Sequence, residues 1–142
     1  MEKVKSHTEE KYSSYFASRG VSPEMYANAS LPIWLEELLA DKDKNLPILD
    51  IGCGFGQNIV ALQKAGFTNV RGIDVSEEAV AYCRYKNLPV TLMDVNEYQG
   101  EKYEFILMSH VLEHLPKDNI IKIIMSIRDN VMCNGGAMLT GA

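Results

Sequence analysis

The sequence predicts an α/β fold, a doubly wound parallel sheet covered by helices on both faces and preceded by a helical segment. Three observations carry this. From Leu46 onward, short apolar runs alternate with stretches of helical spacing. The runs are apolar on both sides, as strands buried on two faces are and half-solvated strands are not. The stretch "LDIGCGFGQNI", Leu49 to Ile59, sets Gly52, Gly54 and Gly56 between the first such run and the first helix behind it, where the backbone must turn sharply.

The first forty residues read as helical. Ser6 and Glu9 form a possible capping box ahead of a polar and aromatic stretch that ends at Gly20, and Ser22 with Pro23 is a second start signal. A third helix is predicted over "PIWLEELLA", with Ile33, Trp34, Leu38 and Leu39 as its apolar face. The charged run "DKDKN" ends it and reads as a solvated linker. Residues 1–45 are therefore expected to form a helical cap and linker, and residues 46–142 the α/β domain. Within that domain "LPILDI" is the first strand, and "QNIVALQKAG" is a helix on Ile59, Leu62 and Ala65, with Gly66 at the position after its C-cap. "NVRGID" is the second strand. "SEEAVAYCRYKN" is a helix capped by Ser76, with Glu77 and Glu78 in the first turn, where the helix dipole favours them. "LPVTLMDV" and "KYEFILMS" are the third and fourth strands. "KDNIIKIIMSIRDNV" is a helix with Ile120, Ile123, Ile124, Ile127 and Val131 on one face, and "AMLTGA" begins a fifth strand after a Gly135-Gly136 turn. There is no internal repeat and no low-complexity tract.

Composition excludes several classes of function. The 142 residues are 46% hydrophobic, enough for one domain with a core. With 14 Lys+Arg against 19 Asp+Glu the net charge is −5, and no basic cluster is interleaved with aromatics, which disfavours a nucleic-acid surface. Cys53, Cys83 and Cys133 are odd in number and lack CxxC spacing, so they read as free thiols in a reducing compartment, with no disulfide and no zinc or other metal site. The N-terminus has no apolar signal segment and no run is long enough to span a bilayer. The expectation is a soluble cytoplasmic protein with no membrane partner.

A strand that ends in Gly52, Gly54 and Gly56 before a helix is a ligand-binding turn, because glycine alone bends so sharply and lets a bound group approach the backbone; a tight turn without a ligand is the other reading. Asp74 closes the second strand, where a carboxylate can accept from both ribose hydroxyls of a nucleoside, and Asp94 closes the third. The spacing is G-x-G-x-G, not the G-x-G-x-x-G of dinucleotide enzymes, and Asp50 stands two positions before the first glycine. At this point the stretch resembles motif I of the class I S-adenosylmethionine-dependent methyltransferases. "VRGIDVSEEAVAYCR" is similar to that family's second strand and following helix, and "FILMSHVLEHLP" to the strand and loop of many small-molecule members, so the likeness covers about Ile48 to Gly141.

The resemblance implies a Rossmann-like sheet of order 3-2-1-4-5, with the family's final strands absent, and it implies roles position by position. Gly52, Gly54 and Gly56 pack on the methionine portion and ribose of S-adenosyl-L-methionine, and Asp50 meets the ammonium directly or through water. Asp74 holds the ribose hydroxyls and Val75 packs on the adenine. Asp94 accepts from the adenine amino group, the Val95 backbone N–H meets a ring nitrogen, and Ser109 and His110 lie beside the transferable methyl. Glu104 stands where the family often has aspartate. The sulfonium is already an activated donor, so the chemistry needs no metal, only alignment, exclusion of water and, for a hydroxyl acceptor, removal of a proton. His114 and His110 are the candidate bases, since histidine titrates near neutrality. The other reading of Glu113 and His114 is that they shape their loop. His7 reads as a solvated tail residue. Trp34, Tyr12, Tyr15, Phe16 and Tyr26 form either a lid or plain packing against the sheet. Cys53 reads as a small core residue, and Met93 and Met108 as strand residues of the core, Met93 with an adenine contact in reach.

The chain stops at Thr140-Gly141-Ala142, which would leave the fifth strand an apolar edge; the expectation is a fragment, or a homodimer that covers the edge. Three functions are open at this stage. One is methyl transfer to an oxygen or nitrogen of a small-molecule acceptor such as a sugar, lipid precursor or metabolite, with S-adenosyl-L-homocysteine as product. The second is a cofactor-binding module without turnover. The third, a nucleotide-dependent oxidoreductase, is disfavoured by the glycine spacing.

Overall fold

The computed structural model of the chain describes residues 29–109 and 115–141. The predicted helices before Ala29, with His7, Tyr12, Tyr15, Phe16 and Tyr26, lie outside the described residues, as do His110, Glu113 and His114.

The elements follow in the order α1 (Ile33–Leu39), β1 (Ile48–Ile51), α2 (Gln57–Lys64), β2 (Val70–Asp74), α3 (Glu77–Tyr85), β3 (Val90–Leu92), a 3-10 turn (Val95–Glu97), β4 (Tyr103–Ser109), α4 (Lys117–Asn130) and β5 (Met132–Gly141). The sheet has the predicted order, β3-β2-β1-β4-β5, and every neighbouring pair is parallel. Progression reverses between β1 and β4, and the helices α2 and α4 pack on opposite faces of the sheet, an arrangement that leaves a crevice at the carboxyl edge.

Both faces of the sheet are covered. On one, Ile48, Val70, Phe105 and Leu107 pack with Leu35 and Leu39 of α1, Ile59 and Leu62 of α2, and Val80 and Cys83 of α3. On the other, Leu49, Ile51, Ile73, Ile106 and Met108 meet Ile123, Ile127 and Val131 of α4 and its end. Ile48 and Leu49 are neighbours in sequence and belong to opposite layers, which is why β1 is apolar without a break.

Helix ends are set by single residues. At the end of α2, Gly66 takes φ 99, and the N–H groups of Gly66 and Phe67 donate to the carbonyls of Gln63 (3.0 Å) and Leu62 (3.1 Å), a Schellman closure. The Ser76 hydroxyl accepts from the Ala79 N–H at 3.2 Å and caps α3 as predicted. Asn87 (φ 60) closes α3 the same way, with the Leu88 N–H on the Cys83 carbonyl at 2.8 Å. On α4 the predicted face is the one that packs: Ile123, Ile127 and Val131 are buried, and Ile120 and Ile124 half-buried.

Three expectations are corrected. The buried face of α1 is Leu35 and Leu39, one turn apart, whereas Ile33, Trp34 and Leu38 are 75%, 56% and 45% exposed. A seven-residue helix sets only one such pair against a sheet, and the spacing that puts Leu35 and Leu39 inward turns Trp34 and Leu38 away. Gly135 and Gly136 lie inside β5, not in a turn before it. The ladder jumps from Tyr103↔Met132 to Phe105↔Ala137, so the strand bulges there with Gly135 at φ 77. A Cβ on Gly136 would stand 2.7 Å from Met132 Cγ and 3.1 Å from the Glu104 carbonyl, so the bulge has no room for a side chain. The third strand is shorter than predicted and, as an edge, buries only Val90 on its inner side. Among the described residues no helix is long and apolar enough to cross a membrane.

Candidate functional site

The chain leaves β1 through Gly52, Cys53, Gly54, Phe55 and Gly56 and enters α2. Gly52, Gly54 and Gly56 take φ of 69, 56 and 84, in the left-handed region where a residue with a Cβ loses about 1–2 kcal/mol. The turn is tied to β2: the N–H groups of Gly52 and Cys53 both donate to the Ile73 carbonyl, at 2.8 and 3.2 Å. Within β2, Gly72 makes the space, since a Cβ there would stand 2.9 Å from Cys53 Sγ and 2.7 Å from Ile59 Cδ1. Phe55 is buried and meets the Tyr82 ring edge-on at 5.1 Å, which fastens the turn to α3.

The second and third glycines differ in what they do. A Cβ on Gly56 would stand 2.5 Å from Leu88 Cδ1 and 3.2 Å from Cys83 Sγ, so this glycine serves packing beneath the turn. A Cβ on Gly54 would meet nothing within 4 Å. Its N–H donates to Asp74 Oδ2 at 2.9 Å, while Asp74 Oδ1 accepts from the Ser76 N–H at 2.8 Å. One carboxylate thus joins the glycine turn to the start of α3.

Beside the turn is a cavity of about 500 Å³ lined by Ile51, Gly52, Ile73, Asp74, Val75, Met93, Asp94, Val95, Asn96, Leu115 and Ile123. Its walls are mainly apolar and come from both the strand ends and the α4 side; its two carboxylates, Asp74 and Asp94, close adjacent strands. Val75 is 69% exposed at the rim. Asp94 Oδ1 accepts from the Asn96 N–H at 2.9 Å and caps the 3-10 turn, which fixes the carboxylate beside the cavity.

Of the residues singled out in the sequence, Gly52, Asp74, Val75, Asp94, Val95 and Met93 line this cavity, and Gly54 and Gly56 belong to the adjoining turn. Ser109 ends β4, half-buried, and does not line the cavity. Met108 is a core residue, as expected. Glu104 is exposed, and its backbone N–H donates to the Pro47 carbonyl at 3.1 Å. Ile51, Ile73, Asn96, Leu115 and Ile123 were not foreseen as lining. Ile51 and Ile73 carried a local signal, being strand-terminal residues beside the glycines and Asp74.

Asp50 lies under the turn on β1, 1% exposed, and neither carboxylate oxygen has a hydrogen-bond partner among the described residues. Burial pushes its carboxyl up to about 7; the Asn58 side-chain amide opposes this, and the Asp74 carboxylate adds to it. Cys53 is buried, with its thiol raised by the hydrogen-bonding Cys83 thiol and then by burial, and Cys83 Sγ donates to the Gly54 carbonyl at 3.3 Å. A thiol held in its neutral form is a packing group, as the sequence implied, and not a nucleophile. Among the described residues no cluster of His, Cys, Asp and Glu could hold a metal.

The sequence matches a family profile described as "Methyltransferase domain" over residues 25–140. The ubiquinone biosynthesis O-methyltransferase of Rickettsia conorii is 29% identical over 118 residues, which are 78% of this chain and 40% of that protein. Among solved structures, the magnesium protoporphyrin IX methyltransferase (ChlM) of Synechocystis PCC 6803 with bound SAM superposes with a TM-score of 0.61 at 22% identity, over 92% of this chain and 74% of that one. DesVI of Streptomyces venezuelae superposes with a TM-score of 0.67 at 17% identity, over 96% of this chain and 58% of that one. These two share the fold. The chain spans about two fifths of the length of the curated relative named above.

Proposed function

The chain belongs to the methyltransferase-domain family, and from that premise we propose that it binds S-adenosyl-L-methionine at the glycine turn and serves methyl transfer to an oxygen or nitrogen of a small-molecule acceptor. The observation that carries the reading is the convergence of Gly52, Asp74 and Asp94 on one apolar-walled cavity at the carboxyl ends of β1, β2 and β3, with the unobstructed Gly54 in the adjoining turn. An adenosyl group can use a carboxylate that accepts from its ribose hydroxyls, a further acceptor for its amino group and an apolar wall for its purine.

The residues fit such a ligand. Each oxygen of Asp74 already accepts one backbone N–H and keeps a further lone pair, so the carboxylate can take ribose hydroxyls without releasing the turn. Val75, Met93, Val95 and Leu115 supply apolar surface for the purine, and the second oxygen of Asp94 suits its amino group. Asp50, a buried carboxylate with no partner among the described residues, is the complement of an ammonium. Gly52 and Gly54 let the backbone come close, Gly56 holds the turn down, and Ser109 ends the strand that leads toward the reacting methyl.

Bound there, the cofactor supplies a methyl already activated on a sulfonium and leaves as S-adenosyl-L-homocysteine. The chain's own tasks are to hold the acceptor in line with the S–CH₃ bond, keep water out and, for a hydroxyl acceptor, take its proton. His110 and His114, which follow β4 outside the described residues, are the proposed bases, each contributing about 10²- to 10⁴-fold where it acts. The curated relative's name supports oxygen as the acceptor atom.

Calorimetric titration with S-adenosylmethionine, S-adenosylhomocysteine and NAD tests the binding claim; the first two bind and NAD does not. Asp74→Ala weakens S-adenosylhomocysteine by about 1–3 kcal/mol through loss of charge-assisted hydrogen bonds. Unchanged affinity would place the ribose elsewhere and refute the reading. An acceptor screen that detects released S-adenosylhomocysteine tests turnover separately.

A further inference from the structure

Asp50 is the one buried charged residue among the described ones, and none of them hydrogen-bonds its carboxylate oxygens. It stands on the central strand, opposite Gly72 of β2 and Leu107 of β4, neither of which offers a polar side chain. The described groups that act on it are the Asn58 amide from α2 and the Asp74 carboxylate from β2, and it acts in turn on the Cys53 thiol in the turn. None of these is a cation. Leaving an ion in that position costs several kcal/mol, which a chain avoids by protonating it or by bringing in an opposite charge.

We infer that a cationic ligand on the glycine turn takes the place of a proton on Asp50, so that binding of the cofactor's ammonium end is coupled to release of H⁺ from this carboxyl. In the free protein near neutral pH a share of the molecules hold Asp50 as the acid, in line with its raised titration. When the ammonium arrives, the carboxyl O–H bond breaks, the electron pair stays on the carboxylate and the proton passes to solvent. Asp50 is thereby a positioning and specificity residue: it rewards a ligand that carries a positive charge at that end and gives nothing to one that lacks it. The inference rests on the proposed binding of the cofactor at this turn.

The dependence on pH follows by linkage. Below the midpoint of Asp50 the affinity for a cation rises with pH, approaching tenfold per unit, and it levels off above the midpoint. The experiment is calorimetry of the whole chain with S-adenosylhomocysteine between pH 5.5 and 7, in buffers of different ionisation enthalpy, which counts the protons released. The ligand's ammonium and carboxylate keep their charges over that range. The comparison ligand is 5′-methylthioadenosine, which has the same nucleoside and no amino-acid end. A proton released with the first ligand and none with the second, together with loss of the release in Asp50→Asn, bears the inference out. Equal proton counts for the two ligands overturn it on the native chain even if the variant does not fold, and release that persists in a folded Asp50→Asn overturns it as well. Failure of both ligands to bind at any pH overturns instead the cofactor reading on which it rests.

Discussion

Replacing Gly56 with alanine tests the turn at its most crowded point. The new Cβ must sit at φ 84 and 2.5 Å from Leu88 Cδ1. The left-handed backbone costs about 1–2 kcal/mol, and a methyl forced into a packed layer about 1–3 kcal/mol. Leu88 is half-buried and can yield partly, whereas Cys83 Sγ, 3.2 Å from the same point, is buried on α3 and cannot move far. The sum is therefore about 2–5 kcal/mol, a large share of the stability of a domain this size. Urea unfolding followed by circular dichroism measures it, with the slope compared to show that the unfolded states match. The double variant Gly56→Ala/Leu88→Ala separates the two contributions: it recovers most of the steric part and none of the dihedral part. Gly54→Ala is the control two residues away, where the Cβ meets nothing and only the dihedral cost of about 1–2 kcal/mol applies. A loss under about 1 kcal/mol for Gly56→Ala, or equal losses at the two glycines with no relief from Leu88→Ala, would show that the turn does not rest on Leu88 as described.

The same reasoning gives three further expectations. Asp74→Ala, beyond its effect on binding, leaves the Gly54 and Ser76 N–H groups without their carboxylate; hydrogen exchange at both amides speeds up, and exchange that speeds up at neither would contradict the bridge. Asp50→Asn changes the pH dependence of stability. Because the folded carboxyl titrates at about 7 against 3.8 unfolded, the folded state holds the proton longer, so this group's stability is fully present below about pH 4 and falls as pH rises toward 7. At about 1.4 kcal/mol per unit the loss is about 4 kcal/mol; the variant is therefore more stable than the native chain at pH 8 and matches it at pH 4, and parallel pH profiles for the two proteins would refute this. Ser76→Ala removes the cap of α3 and costs about 0.5–2 kcal/mol by thermal or urea unfolding, with Ser76→Asp restoring most of it.

What the sequence disclosed and what it withheld divide along one physical line. The succession of strands and helices, the carboxylates at strand ends and the caps at Ser76 and Gly66 were legible because each is dictated by a residue's own backbone or by neighbours within a turn of it, whereas the order of strands across the sheet followed from the family resemblance. The buried pair of α1 was not. Ile33, Trp34, Leu35, Leu38 and Leu39 are all apolar, so periodicity offered two faces, and only the position of the sheet chose between them. The Gly135-Gly136 pair had a clear local meaning, an unusual backbone, but whether it ends a strand or bulges within one depends on the ladder with β4. Leu115 and Ile123 give the cavity its far wall from beyond β4, and no local pattern ties them to Met93 or Asp94.

That division also explains why the cofactor end of the site can be read while the acceptor end cannot. A nucleoside is recognised by groups the sheet edge presents in fixed order, a bare turn after β1 and carboxylates after β2 and β3, and each demands a particular residue type at a particular strand end. An acceptor is recognised by the shape of a wall, and many apolar side chains give equivalent walls. Ile123 illustrates the difference: it belongs to the packed layer behind β4 and to the cavity lining at once, so its identity answers to core packing before it answers to any ligand. Asp50 stands at the opposite extreme. A buried carboxylate contributes nothing to the layer of Ile48 and Leu107 in which it sits, and a Leu or Asn there would fold with less cost. Its presence is explained by a charge that none of the described residues supplies.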